Sequence, residues 1–393
     1  MTVLRALLRR ARGTDPVLAA YDAGRSTPHR PGICNAPFTN LYFSAAGKVG
    51  PCWNQLDDLG ERWSPHHSIR DIWTGGPFSA LRDALADQRF PGPCGRCLHD
   101  IESGVAPLAA IYDREPEIIE WPTSLELELS NLCNFECVMC TGELSSKIRR
   151  NREHLPPLDV PYDDSFVDQV AELIPTLQQV RFSGGEPLLH PIMHKICDRI
   201  IELRPDLRID VSTNGSTLND RVRRLLERAT VQINISFESL RPERYEAIRI
   251  GSDHARLLAN IETFRELVKP NGGLVTINTN PMRETWSEMA DIVRFCDERD
   301  LHLSFNTVIK PAEMSLQTLP ADELEAIHTT IAAERFDDEA SSAAPWNHAQ
   351  WANFLEQVRT WLDDARGRPV PVGVRSLLIR WRRATPPAAP GSR

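Results

Sequence analysis

Between residues 124 and 308 six short apolar runs alternate with five longer ones. The short runs are SLELELS (124–130), QQVRFSGGE (178–186), LRIDVSTNG (207–215), VQINISFES (231–239), LVTINTN (274–280) and LHLSFNTV (301–308). They are rich in Val, Ile, Leu and Phe, and the first alternates Leu with Glu at the two-residue period of a strand. The longer runs are DDSFVDQVAELIPTL, PIMHKICDRIIELRP, NDRVRRLLERA, HARLLANIETFRELV and TWSEMADIVRFCDERD. Each keeps apolar residues at i, i+3 and i+4 for three turns or more, which predicts a helix. Strands alternating with helices demand right-handed βαβ units and a parallel sheet.

Six strands are too few to close an eight-stranded barrel. The expected fold is therefore α/β, a partial (β/α)6 barrel of the TIM type, with a doubly wound sheet as the alternative. In both, chemistry gathers where strands end in loops, and the polar residues of this chain follow that rule. LSNLCNFECVMC (129–140) follows the first strand and SGGEP (183–187) the second. STNG (212–215), SFES (236–239) and NTN (278–280) follow the third, fourth and fifth.

At 393 residues and 41% apolar content the chain has material for two or three domains. A net charge of −9 argues against a nucleic-acid surface. No apolar run approaches the roughly 20 residues that span a bilayer. The basic, amphipathic start MTVLRALLRRARG has no apolar core of signal-peptide length. It reads as a short surface helix, with an interfacial membrane helix as the alternative. The expected location is the cytoplasm, where the nine cysteines stay reduced.

Those cysteines fall into groups. Cys133, Cys137 and Cys140 form a C-x3-C-x2-C array, an odd number of soft ligands. A structural zinc takes four ligands, a disulfide takes two, and a fully ligated four-iron cluster takes four. Cys34, Cys52, Cys94 and Cys97 stand upstream as C-x17-C followed by C-x2-C. Cys197 and Cys296 lie inside helical patterns and read as buried small hydrophobes.

The cysteine triad after the first strand, GGEP after the second and Ser-x-Asn-Gly after the third resemble the radical SAM superfamily over residues 124–310. The resemblance implies a 4Fe–4S cluster on Cys133, Cys137 and Cys140 with one iron left open. That iron chelates S-adenosylmethionine, and an electron from the cluster cleaves the sulfonium to give a 5′-deoxyadenosyl radical. It further implies a flavodoxin- or ferredoxin-type electron donor. Gly184 and Gly185 then let backbone approach the methionine moiety, and Glu186 accepts from its ammonium group. Ser212 and Asn214 are expected near the ribose or carboxylate, with Ser236 and Glu238 on the same floor and Glu238 reaching the ribose hydroxyls. Asn278 and Asn280 are either binding residues or turn formers. Met139 stands where the family usually places an aromatic residue against adenine. The competing reading of the triad is a zinc knuckle, which lacks a nearby histidine to complete it.

Upstream, LYFSAAGKVGPCW reads as a β-hairpin turning at Ala-Gly, and HSIRDIWTGGPFSALRDALADQ as a helix pair. C-x12-G-x4-C, SIRDIW and PGPCGRC resemble the first part of a SPASM domain, or its shorter twitch form. That resemblance implies an auxiliary, fully ligated 4Fe–4S cluster on Cys34, Cys52, Cys94 and Cys97. A full SPASM domain has seven cysteines and usually follows the radical SAM core, whereas this module has four and precedes it. A zinc ribbon is the alternative.

The expected layout is an N-terminal extension (1–33), the small cysteine-rich α+β module (34–110), the radical SAM core (120–310), a helical region (311–380) and a disordered tail (381–393). In the helical region Trp346, Trp351 and Trp361 read as core or lid packing. An iron–sulfur or zinc scaffold with no catalysis is the rival function, and SGGEP and STNG tell against it, since an electron carrier needs no S-adenosylmethionine cradle. Related enzymes with auxiliary clusters oxidise alcohols, epimerise sugars or mature peptides. With no leader-binding segment in the first 33 residues, a small or carbohydrate-like metabolite is expected over a peptide. With Cys197 and Cys296 inside helices, dehydrogenation is expected over thiol-quenched epimerisation.

Overall fold

A computed structural model describes residues 15–25, 33–103, 107–113 and 120–367. The basic start (residues 1–14) and the proline-rich tail lie outside the described residues. The architecture is α/β, with parallel strands alternating with helices as a partial (β/α) barrel requires. All six core strands stand where the apolar runs place them, and the helix expected over HARLLANIETFRELV spans His254–Val268. The chain divides into two compact units, residues 1–131 with 157–209, and residues 132–156 with 210–393.

The first unit holds β1 (Asn40–Phe43), β2 (Val49–Gly50), β3 (Ser124–Glu128) and β4 (Gln179–Ser183), in the order β2-β1-β3-β4. The expected hairpin is present: β1 pairs antiparallel with β2 through Tyr42↔Gly50, and Gly47 takes φ +79° at the turn. What the sequence did not announce is that β1 also pairs in parallel with β3, Asn40 opposite Ser124. The cysteine-rich segment thus extends the sheet of β3 and β4. The physical reason is burial, since all four residues of β1 are buried and the strand has both edges satisfied. Phe43, Trp63, Tyr162 and Phe166 pack ring against ring over this sheet. The expected helix pair follows as Ile69–Thr74, capped by a reciprocal Ser68–Asp71 box, and Gly76–Ala86.

The second unit holds most of β5 (Arg208–Thr213), with β6 (Val231–Ser236), β7 (Leu274–Thr279) and β8 (His302–Phe305) following in parallel order. Burial alternates strictly along β6, β7 and β8. One face is apolar, with Ile233, Ile235, Val275, Ile277, Leu303 and Phe305 at 4% exposure or less. The opposite face is half-exposed and, apart from Leu274, polar, as period-two strands allow. Helix His254–Val268 packs against β6 and β7, and helix Ala344–Ala365 packs against β8. That last helix starts at Ala344, three residues before the expected NHAQW run, and carries all three tryptophans. Trp351 and Trp361 are buried, while half-buried Trp346 donates its indole N–H to the Leu303 carbonyl at 2.8 Å. A short helix, Pro242–Ile248, was not legible in the sequence, because seven residues are too few to display a helical period.

Candidate active site

The cysteine triad sits on a loop without regular structure between β3 and helix Ser146–Asn151. Side chains between Ser145 and Glu153 hold the loop in shape. Ser145 Oγ donates to the Phe135 carbonyl at 2.7 Å, Ser146 Oγ accepts from the Cys133 N–H at 3.3 Å, and Glu153 accepts from the Gly142 N–H at 2.7 Å. Arg152 donates to the Cys137 carbonyl at 3.2 Å. A second support comes from residues 248–250. The Glu136 N–H donates to the Ile250 carbonyl and the Val138 N–H to the Ile248 carbonyl, both at 2.9 Å.

Those two bonds flank Cys137 on one side and Arg249 on the other, so the two side chains face each other. Arg249 Nη1 lies 3.6 Å from Cys137 Sγ. Its Nε and Nη2 donate to the two oxygens of Glu238, which is fully buried. Asn280 Nδ2 donates to Glu238 Oε1 at 3.0 Å. Glu238, expected at the ribose hydroxyls, therefore has its carboxylate engaged by Arg249 and Asn280. Sequence reasoning missed Arg249 altogether; it lies at the end of the short helix that showed no period.

The remaining expected residues of this unit take distinct places. Asn214 Nδ2 donates to Asn134 Oδ1 at 2.9 Å, and Asn134 Nδ2 donates to Ser216 Oγ at 2.9 Å. The STNG loop is thereby tied to the residue that follows Cys133. Ser212 lies exposed near the end of β5. Ser236 and Asn278 stand opposite each other as register partners at the ends of β6 and β7. Met139 packs with Val138 and Met314 against Ile248, Met282 and Val308.

Burial, together with the Cys137 and Cys133 thiols beside it, pushes the Cys140 thiol up to about 11. Burial likewise raises Cys137, opposed by the Arg249 charge. Three cysteine donors, Cys133, Cys137 and Cys140, on one preformed loop fit an iron–sulfur cluster.

In the first unit, Gly184 adopts φ +102°, a region that favours glycine, and a Cβ there would meet the Ser130 carbonyl at 3.0 Å. The Gly185 N–H donates to that same carbonyl at 3.1 Å, which binds the GGEP turn to the end of the first core strand. Glu186 is buried and caps the short turn Pro187–Leu189 by accepting from the Leu188 N–H at 3.2 Å.

Cys34, Cys52, Cys94 and Cys97 all line one cavity, together with Pro51, Leu108 and Tyr112. Burial and neighbouring thiols push Cys94 up to about 12, and burial brings Cys52 to about 12 as well. Cys34 is raised by burial and by Cys52, Cys97 and Cys94. Among the described residues, no three His, Cys, Asp or Glu side chains converge tightly enough to share one metal ion. Cys197 and Cys296 belong to the core, at 1% and 0% exposure.

No helix among the described residues is long and apolar enough to cross a membrane. The chain is similar to the GTP 3′,8-cyclase of Pseudomonas putida, 29% identical over 243 residues, covering 58% of this chain and 68% of that protein. It is 30% identical over 183 residues to the GTP 3′,8-cyclase of Pseudomonas entomophila, covering 46% of this chain and 52% of the relative. The match thus spans about half the length of that second relative. Among solved structures it is similar to Streptococcus suis SuiB bound to precursor peptide SuiA, at 12% identity and a TM-score of 0.42, covering 66% of this chain and 51% of that one. Residues 127–296 match the Radical SAM superfamily, a span that takes in the cysteine triad, the GGEP turn and the STNG loop; that family implies a 4Fe–4S cluster and S-adenosylmethionine.

Proposed function

We propose that this chain is a radical SAM enzyme that takes a hydrogen atom from a small, hydroxyl-bearing, carbohydrate-like metabolite and oxidises or epimerises it. Cys133, Cys137 and Cys140 hold the 4Fe–4S cluster with one iron open, and Cys34, Cys52, Cys94 and Cys97 hold a second, fully ligated cluster. When bound, the first cluster and S-adenosylmethionine supply one-electron cleavage of the sulfonium and the 5′-deoxyadenosyl radical. The single observation that carries the reading is the preformed three-cysteine loop within a radical SAM domain.

The substrate class rests on the polar face of β6, β7 and β8. Asn234 stands opposite Thr276, and Ser236 opposite Asn278, which in turn stands opposite Ser304. All five are half-buried and uncharged. Neutral amides and hydroxyls at the carboxyl ends of parallel strands suit hydroxyl groups better than phosphates, which draw arginine and lysine. The second cluster offers an acceptor for the electron left on a substrate radical, which favours dehydrogenation. A nucleotide is the second reading, supported by the name GTP 3′,8-cyclase borne by the relatives; its ribose is itself a sugar. Peptide maturation is a third.

Anaerobic reconstitution tests the metal content: about eight irons and eight sulfides per chain are expected, and about four after Cys133, Cys137 and Cys140 are all changed to Ala. The same variant should release no 5′-deoxyadenosine. Zinc in the upstream site, or full iron in the triple variant, overturns the two-cluster reading. Following 5′-deoxyadenosine release against sugar derivatives, GTP and peptides then decides the substrate class.

A further inference from the structure

We infer that Arg249 is a positioning residue that sets the reduction potential of the triad cluster through Cys137, with Glu238 as its opposing charge. This rests on the reading that the triad holds a cluster. Arg249 is 8% exposed and Glu238 0%, so the pair is almost completely removed from water. A buried ion pair is a poor stabilising device, often replaceable by apolar residues at no loss. Its placement here is specific instead. One nitrogen of the guanidinium points at a cluster ligand, 3.6 Å from Cys137 Sγ, while the other two bind the carboxylate. The backbone bonds from Glu136 to Ile250 and from Val138 to Ile248 hold that geometry from both sides.

A cation and N–H donor beside a cluster thiolate stabilises the more negative, reduced state, and hydrogen bonds to sulfur and net local charge are established determinants of cluster potential. Glu238 works against this by partly cancelling the cation. Asn280, donating to Glu238 Oε1, keeps the carboxylate turned towards Arg249. Removing the two charges separately should therefore move the potential in opposite directions. A purely structural pair would produce no such opposition.

The test uses the anaerobically reconstituted full chain and an EPR-monitored redox titration of the signal that changes on adding S-adenosylmethionine. Arg249→Met should shift that midpoint downward and Glu238→Gln upward, with Arg249→Met/Glu238→Gln between them. Arg249→Lys, which keeps charge and loses the fork, should shift less than Arg249→Met. Unchanged midpoints with the signal intact, or shifts of the same sign in Arg249→Met and Glu238→Gln, overturn the inference. Should Arg249→Met fail to retain iron, Glu238→Gln and Arg249→Lys decide by the same signs. Failure of the underlying reading looks different, since the unmodified chain would then show no S-adenosylmethionine-sensitive signal.

Discussion

Gly215 offers a sharp test of how the STNG loop is built. Its φ is +73°, and an added Cβ would lie 2.4 Å from Leu257 Cδ1 and 3.0 Å from Ile235 Cγ2. Its carbonyl accepts from Asn260 Nδ2 at 2.8 Å and its N–H donates to Thr213 Oγ1 at 3.0 Å, so the backbone cannot readily rotate away. Gly215→Ala should cost about 1–2 kcal/mol for placing a side chain in the left-handed region. The forced contact with Leu257 adds about 1–3 kcal/mol of overpacking, for a total of about 2–5 kcal/mol. Leu257→Ala alone should cost about 2–5 kcal/mol through the cavity it leaves. In the double variant the clash is relieved while the backbone strain stays, so its loss should fall short of the sum by about 1–3 kcal/mol. Urea unfolding midpoints of the four proteins at constant m-value measure this. Additivity in the double variant, or a Gly215→Ala midpoint within about 0.5 kcal/mol of the parent, would refute the reasoning.

Burial and the neighbouring His194 lower His190 to about 4, against 6.5 in an unfolded chain. A histidine depressed in the fold contributes stability above pH 6.5 that is lost as pH falls towards 4, so His190→Gln should flatten urea midpoints across that window. Asn347, wholly buried, donates to Asp297 Oδ1 at 2.8 Å and the Leu301 carbonyl at 2.9 Å and accepts from the Leu303 N–H at 2.8 Å. Asn347→Leu deprives three buried groups of this partner, at about 1 kcal/mol or more each, and amide exchange at Leu303 should lose protection; retained protection would contradict this. Arg25 donates to Asp113 through Nε at 3.0 Å and Nη2 at 2.8 Å in a pair with almost no exposure. Arg25→Met should cost about 3–5 kcal/mol, and Arg25→Met/Asp113→Leu should recover part of it in thermal unfolding; no recovery would argue against the broken buried ion pair as the cause.

The strand–helix rhythm was legible along the chain because hydrophobic period is a local property. Runs such as VQINISFES and HARLLANIETFRELV each display one complete period, and β6 and helix His254–Val268 form there. The cysteine triad was equally plain, since its three cysteines lie within eight residues on one loop. The helix Pro242–Ile248 was too short to show a period, and with it Arg249 escaped notice.

Only tertiary structure could bring Arg249 to Cys137, 112 residues away, or tie Asn214 to Asn134 across 80. The same holds for the parallel pairing of Asn40 with Ser124 and for the meeting of Cys34, Cys52, Cys94 and Cys97 around one cavity. Residue type and spacing determine which groups can ligate, cap or span a strand. Which of them meet depends on long-range pairing, and that is decided by burying the whole chain's apolar faces at once. A buried charge shows this most clearly. Glu238 read from its motif was expected at the ribose hydroxyls; folding buried it completely, and there Arg249 and Asn280 became its partners.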